Sequence, residues 1–126
     1  MLLDTHALLW WLDGDERLSG DARRAMLDPG QRVLVSAASA WEITTKHRLG
    51  KLPGAADVAG DVRGSIAGQG FEELPITLAD AERAGRLIGP HRDPFDRMLI
   101  AQALARDLRL VSNEVLFDSY GVTRLW

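Results

Sequence analysis

Cysteine is absent from the 126 residues of the sequence. Disulfide bonds, zinc sites built on thiolates and thiol catalysis are therefore excluded, and the absence fits a reducing compartment. A long apolar run is also lacking, because Asp4 interrupts the first one almost immediately. We accordingly expect neither a signal peptide nor a membrane-spanning segment, and we expect the protein to be cytoplasmic.

Positive charge is in short supply as well, since the formal net charge is −3 at pH 7. This balance argues against broad electrostatic binding of nucleic acid. A polyanionic substrate would have to be met locally, by arginine side chains and by a metal ion.

Alternation of apolar runs with helical patterns is the main feature that the sequence does contain. Hydrophobic residues make up 46% and charged residues 26% of the chain, so we expect residues 1–126 to form a single globular domain. The order of elements predicts an α/β fold, a small three-layer α/β/α sandwich with a parallel sheet of four to five strands. The predicted strands cover residues 1–3, 33–35, 71–74, 108–111 and 122–126. The predicted helices cover residues 7–12, 21–27, 39–49, 77–88 and 93–105, with a weakly helical stretch at 55–69.

Acidic residues follow the strands or open the helices of this pattern. They are Asp4, Glu42, Asp93, Asp96 and Glu114. Sites in open parallel sheets form beyond the carboxyl ends of the strands, so we expect several of these side chains to meet at one edge. Crowded carboxylates repel one another, which proteins tolerate mainly where a cation is bound. The pattern predicts a site for Mg²⁺ or Mn²⁺, which prefer oxygen ligands, and hydrolysis of a phosphodiester.

Most of these acids also have a structural interpretation. Glu42 can be the partner of Ser39 in a capping box, Asp93 can be an N-cap, and Asp96 can stabilise a helix dipole. We expect Thr5 to cap the first helix. Asp4 is harder to explain in this way, because it follows a buried strand where an unpaired charge is expensive.

Two other features of the sequence have possible functional interpretations. Trp10, Trp11 and Leu12 form an apolar run, and we expect this surface or its neighbourhood to contact another protein chain, an antitoxin or a second copy of this one. The basic residues of 46–51 have a solvated surface as their default interpretation and a phosphate guide as the second one.

Five segments carry a resemblance to a known family. In order they are LLDTHALLWWL, VSAASAWEITTKHRLGKL, LPITLADA, HRDPFDRMLIAQALA and LRLVSNEVLFDSYGV. Together they resemble PIN domains and, more narrowly, the VapC-like toxins of type II toxin–antitoxin pairs. The resemblance implies a Mg²⁺- or Mn²⁺-dependent endoribonuclease that cleaves RNA, is usually a homodimer, and is inhibited by a cognate antitoxin protein.

The resemblance also assigns roles by position. Asp4, Glu42 and Asp96 match the central acids of the family, and Asp93 matches an additional one. The acid that commonly follows the fourth strand is replaced by Asn113 or Glu114. We expect Asp4 and Asp96 to bind the metal directly, and Asp93 and Glu114 to bind it directly or through water. We expect Glu42 to orient or deprotonate the attacking water.

Three other functions are alternatives to a toxin endoribonuclease. A structure-specific DNA nuclease would use the same acids. A PIN-like binding module would have catalysis weakened by the departures at Asn113 and Glu114. A metal-dependent phosphatase would need an aspartyl nucleophile, usually in a strand-end Asp-x-Asp, where this chain has Asp4 followed by Thr5 and His6.

Overall fold

Five short parallel strands form the centre of the fold. The computed structural model describes residues 1–126, and its sheet has the order β3-β2-β1-β4-β5 with every neighbouring pair parallel. The strands are β1 (Leu2–Leu3), β2 (Leu34–Ser36), β3 (Glu72–Leu74), β4 (Leu110–Val111) and β5 (Arg124–Leu125). The predicted α/β fold with a parallel sheet of four to five strands is therefore confirmed, with five strands.

Helices cover both faces of this sheet. They are α1 (Thr5–Asp13), α2 (Gly20–Leu27), α3 (Ala37–Arg48), α4 (Ala56–Gly60), α5 (Val62–Gly68), α6 (Leu78–Arg86) and α7 (Pro94–Arg106). Two 3-10 segments, Pro53–Ala55 and Val115–Tyr120, complete the chain. The weakly helical stretch at 55–69 is thus two short helices preceded by a 3-10 turn. No helix is long and apolar enough to cross a membrane.

Alternating strand residues build two separate cores. Side chains at successive strand positions point to opposite faces of a sheet. On one face, α1 to α5 pack against Leu3, Val35 and Val111. On the other face, α7 packs against Leu2, Leu34 and Leu110. This arrangement gives the three layers, and it places the carboxyl ends of β1, β2 and β4 at one edge.

Two predicted helix caps are wrong. The N-cap of α1 is Asp4, whose carboxylate accepts from the Ala7 N–H, and Thr5 is already helical. The N-cap of α3 is Ser36, whose hydroxyl accepts from the Ala38 N–H. Glu42 consequently lies beyond the first turn and is not part of a capping box. In both cases the helix begins directly after the strand, earlier than the local pattern predicts.

The last two helices also begin at side-chain caps, and the N-cap interpretation of Asp93 is confirmed. Thr77 and Asp80 form a reciprocal capping box at the start of α6. Asp93 caps α7, where Pro94 takes the first helical position and has no N–H to leave unpaired. Asp93 therefore has the structural role that the sequence offered as an alternative.

The apolar run on α1 is mostly absorbed by the protein itself. Trp10 is buried, and its ring centroid lies 5.7 Å from that of Trp126. The Trp11 ring packs on Phe71 at 5.9 Å and its Nε1–H donates to Gln69. Trp11 and Leu12 remain partly exposed, so contact of this surface or its neighbourhood with another chain stays a prediction. The tryptophan with a largely exposed side chain is Trp41, at 59%.

Candidate active site

One small cavity, of about 90 Å³, lies at the carboxyl edge of the sheet. Its lining residues are Asp4, Thr5, His6, Glu42, Lys46, Asp93, Asp96, Asn113, Glu114 and Phe117. All five acidic residues named from the sequence are thus brought to the same cavity. They reach it from four places: the end of β1, α3, the start of α7, and the segment after β4.

Asp4 links the central strand to the cavity. Its residue is 6% exposed, and its Oδ1 accepts from the Ala7 N–H at 2.7 Å. Burial raises the pKa of Asp4 above its ordinary value, although hydrogen bonds from Ser112 and Ala7 oppose the shift. A buried carboxylate whose charge is disfavoured in this way is stabilised by a nearby cation.

Glu42 is buried and engaged at both of its oxygens. Its Oε1 accepts from the Thr5 hydroxyl at 2.6 Å, and its Oε2 forms an ion pair with the Lys46 ammonium group. Thr5 Oγ1 also lies 3.0 Å from the hydroxyl oxygen of Ser39. The Ser39 side chain, which the sequence suggested as a cap, thus belongs to a buried network that connects α1 with α3.

Asp93 and Asp96 occupy the first turn of α7 but have different partners. Asp93 Oδ1 accepts from the backbone N–H groups of Phe95 and Asp96, at 2.9 and 3.1 Å. Asp96 Oδ2 lies 2.7 Å from His91 Nε2. Burial raises the pKa of Asp96 to about 6, the carboxylates of Asp93 and Glu42 add to the rise, and the His91 hydrogen bond opposes it.

Sequence reasoning missed His91 as a member of this site. Two contacts fix the loop that carries His91. The backbone N–H of His91 donates to the Tyr120 hydroxyl at 2.9 Å, and Arg97 Nη1 donates to the backbone carbonyl of His91 at 3.0 Å. The available signal was the position of a histidine five residues before Asp96 in HRDPFD. That spacing does not match a metal-ligand pattern, so the sequence alone does not indicate that His91 belongs to the site.

Glu114 and Asn113 border the cavity from the opposite side. Glu114 caps the second 3-10 segment, and its Oε1 accepts from the Leu116 N–H at 3.3 Å. Its side chain is exposed, in contrast to that of Asp4. Both residues offer an oxygen donor, so the choice between them as the replacement for the family's last acid stays a prediction.

The donor set fits a hard divalent cation in kind. Carboxylate oxygens are the preferred ligands of Mg²⁺ and Mn²⁺. Burial, with a smaller contribution from neighbouring carboxylates, raises the pKa of Asp4 and of Asp96. No three His, Asp or Glu side chains converge in the arrangement that holds an ion, however. Each of the five acids instead contacts a donor of its own chain.

The raised pKa of Asp96 predicts a pH dependence of stability in chelator. Between about pH 4 and its folded pKa of about 6, the folded state binds more protons than the unfolded state, so the free energy of unfolding falls as pH rises. The melting temperature should therefore be higher at about pH 5 than at about pH 7.5. Asp4 acts in the same direction. The Asp80 carboxylate, whose pKa is lowered by Arg106, loses its contribution only at more acidic pH.

Thermal melts of wild type and Asp96→Asn test this. The variant should show a smaller pH dependence and should melt at or above the wild-type temperature at the higher pH. If Asp96 serves only the helix dipole, the variant instead loses about 0.3–1 kcal/mol and keeps the full pH dependence. That pattern would contradict the prediction.

Comparisons with known proteins support the same interpretation of the fold. A family model described as PIN domain matches residues 1–122. The fold is similar to that of Mycobacterium tuberculosis VapC20, a sarcin–ricin loop cleaving toxin, with a TM-score of 0.68, 20% identity and coverage of 97% of this chain and 95% of that chain.

Two toxin–antitoxin structures are similar as well. VapBC2 of Rickettsia felis, bound to a DNA fragment of its promoter, gives a TM-score of 0.67 at 13% identity, covering 98% of this chain and 95% of that chain. DNA-bound VapBC of Salmonella typhimurium gives 0.63 at 18% identity, covering 98% and 94%. No curated protein matches the sequence. The predicted resemblance is confirmed by the match over residues 1–122, and the chain belongs to the PIN domain family.

Proposed function

We propose that the protein is a metal-dependent endoribonuclease that acts as the toxin of a toxin–antitoxin pair and hydrolyses RNA phosphodiester bonds. The observation that carries the proposal is the convergence of five carboxylates on one small cavity of a PIN domain. Support comes from VapC20, a sarcin–ricin loop cleaving toxin with a similar fold. Carboxylates this close together repel one another, which destabilises the fold unless a bound cation offsets their charge.

The buried acids and the more exposed acid have different tasks in this proposal. Asp4 and Asp96 hold Mg²⁺ or Mn²⁺ directly, and Asp93 and Glu114 hold it directly or through water. Asp96 exchanges its contact with His91 for this purpose. When bound, the ion supplies a lowered pKa of the attacking water and stabilises negative charge on the phosphate.

Glu42 is proposed to orient or deprotonate the attacking water. Each of its oxygens accepts one hydrogen bond, from Thr5 or from Lys46. A carboxylate oxygen has two lone-pair positions, so each oxygen keeps one for water. The two existing contacts fix the orientation of the carboxylate, which is what a positioned base requires.

We also propose an antitoxin protein as a partner and a homodimer as the assembly. The similar structures from Rickettsia felis and Salmonella typhimurium are VapBC proteins. Large apolar side chains of this chain remain exposed, namely Trp41 at 59%, Leu78 at 81% and Ile88 at 96%. Such side chains are compatible with protein contacts. A small reading frame next to the gene, whose product binds this protein, would support the partner.

The function is tested by cleavage of RNA and of DNA with the same sequence. Purified protein should cut RNA with Mg²⁺ or Mn²⁺ and should stop when a chelator is added, because the carboxylates alone cannot stabilise the phosphate charge. Preference for DNA would favour the structure-specific DNA nuclease. RNA binding without cleavage under any metal condition would favour the binding module. Full activity in chelator would rule out the metal mechanism.

A further inference from the structure

The acidic cavity contains one lysine, Lys46, and the roles described above give it only the orientation of the Glu42 carboxylate. Lys46 lies four residues after Glu42 on α3, and the two side chains form an ion pair. Pairs with this spacing are usually solvated and contribute little. Here the Glu42 side chain is 4% exposed and the Lys46 side chain 29% exposed. The lysine is therefore held in the cavity wall rather than on an open helix surface.

The position of the ammonium group is fixed from behind. Glu42 Oε1 accepts from the Thr5 hydroxyl at 2.6 Å, so the carboxylate that anchors Lys46 is itself held by α1. An ammonium group has three donors, and Lys46 uses one of them on Glu42. Two donors remain for an acceptor in the cavity. Burial opposes the charged form, but Glu42, Asp93 and Asp96 outweigh it and raise the pKa of Lys46.

The cavity has an excess of negative charge, which makes its one lysine important for a phosphate that enters it. Five carboxylates and one ammonium group line the space, so a phosphodiester that enters it meets an excess of like charge. A divalent cation held by the acids offsets only part of that excess. Lys46 is the one lysine or arginine among the lining residues, so within the cavity it is the side-chain cation that can contact a phosphate.

We propose that Lys46 is a phosphate-binding residue of this site, its ammonium group donating to a non-bridging oxygen of the RNA phosphate while Glu42 holds it in place. This inference rests on the proposed nuclease function and adds a sixth residue to it. A lysine ammonium group is a compact donor that contacts phosphate as a point charge. Glu42 then also acts as a positioning residue for the lysine.

Lys46→Gln tests the assignment. The variant should lower kcat/KM for cleavage of a short labelled RNA by about 10- to 100-fold, because a charge-assisted hydrogen bond is lost. The plot of log Kd against log salt should become shallower by about 0.7, which is the contribution of one phosphate contact on a single strand. Kd is measured by fluorescence anisotropy in an Asp4→Asn background, so this second result does not depend on cleavage.

Two matched variants control for charge and for folding. Arg32→Gln removes the same charge from an exposed residue that precedes β2, at the edge of the sheet away from the acidic cavity, and it should change kcat/KM by less than about twofold. Lys46→Arg keeps the charge and should keep the salt slope. If Lys46→Gln does not fold, Glu42→Gln combined with Lys46→Gln leaves no buried charge unpaired, and its slope is compared with that of Glu42→Gln alone.

The possible outcomes separate the two proposals. An RNA-cleaving wild type with an unchanged slope and kcat/KM in Lys46→Gln would overturn the inference, even if the variant melts at a lower temperature, because the lysine would then only neutralise Glu42. An equal loss in Arg32→Gln would overturn it as a general charge effect. A wild type that does not cleave RNA would defeat the proposed function, and the salt slope would still decide whether Lys46 contacts phosphate.

Discussion

Asp4→Asn is expected to lower the rate of RNA cleavage by at least about 100-fold, since charge stabilisation through a bound metal contributes several kcal/mol. The substitution is close to isosteric. Asparagine is as good an N-cap as aspartate, so the amide oxygen can still accept from the Ala7 N–H. The change therefore removes the negative charge and leaves the start of α1 intact. Asp96→Asn should show a loss of similar size.

Asp28→Asn is the matched control. Asp28 follows α2 and precedes β2, so it lies at the opposite edge of the sheet, and its carboxylate accepts from the Gly30 N–H in a turn. Asparagine preserves such a turn, so cleavage and melting temperature should stay near wild type. Rates are compared at saturating Mg²⁺ or Mn²⁺ in single-turnover assays. If Asp4→Asn cleaved as fast as Asp28→Asn, the carboxylate mechanism would be wrong.

Asp80→Ala is expected to lower the free energy of unfolding by about 3 kcal/mol. The Asp80 side chain is 4% exposed, and its oxygens pair with Arg106 Nη1 and Nη2, each at 2.9 Å. It also accepts from the Thr77 N–H at 3.0 Å, which closes the capping box of α6. Alanine removes these contacts together, including the ion pair that links α6 to α7. The partial exposure of Arg106 lets water solvate the guanidinium, which keeps the loss at the lower end of the range for buried pairs.

Denaturant unfolding measures this loss, and the melting temperature should fall by about 10 °C for a domain of this size. Asp118→Ala is the control, because Asp118 pairs with Arg124 in the same bidentate manner but with a half-exposed carboxylate. Exposed pairs contribute about 0–1 kcal/mol. Equal losses in the two variants would contradict the view that burial makes the Asp80 pair important.

The sheet and the convergence of the acids follow from the order of apolar runs along the sequence. Residues after β1 and β4 must share an edge in a parallel sheet with short connections, which places Asp4 near Glu114. Asp93 and Asp96 open the helix that precedes β4. The topology alone therefore predicts much of the site. It can be predicted because it depends on a few clear signals, namely the order of the apolar runs and the short connections between them.

The helix starts were harder to predict, since several polar residues compete for each cap. Ser36 and Ser39 are both plausible caps for α3, and the local pattern does not rank them. Pairing of Ser36 with Leu74 extends β2 by one residue, so the helix begins at once and Ser39 turns inward. Tertiary pairing of this kind is not visible in a local sequence pattern.

Partners of the acids were the least predictable part of the site. His91 reaches Asp96 from a loop that is held by Tyr120, which is distant in the sequence, and by Arg97 on α7. The Lys46 contact with Glu42 has the ordinary spacing of a surface ion pair, and only its burial makes it unusual. Both facts depend on three-dimensional packing rather than on residue type.

The strand order has a consequence for synthesis of the protein. The central strand, β1, is made first, and its neighbour β4 is made more than 100 residues later. Asp4 is therefore synthesised long before Glu114, and the cavity that both residues line cannot form until the segment with Glu114 has been made. A nascent chain on the ribosome cannot assemble the proposed site until almost all of this sequence has been translated. A ribonuclease built in this way would not cut the messenger or the ribosome that is still producing it.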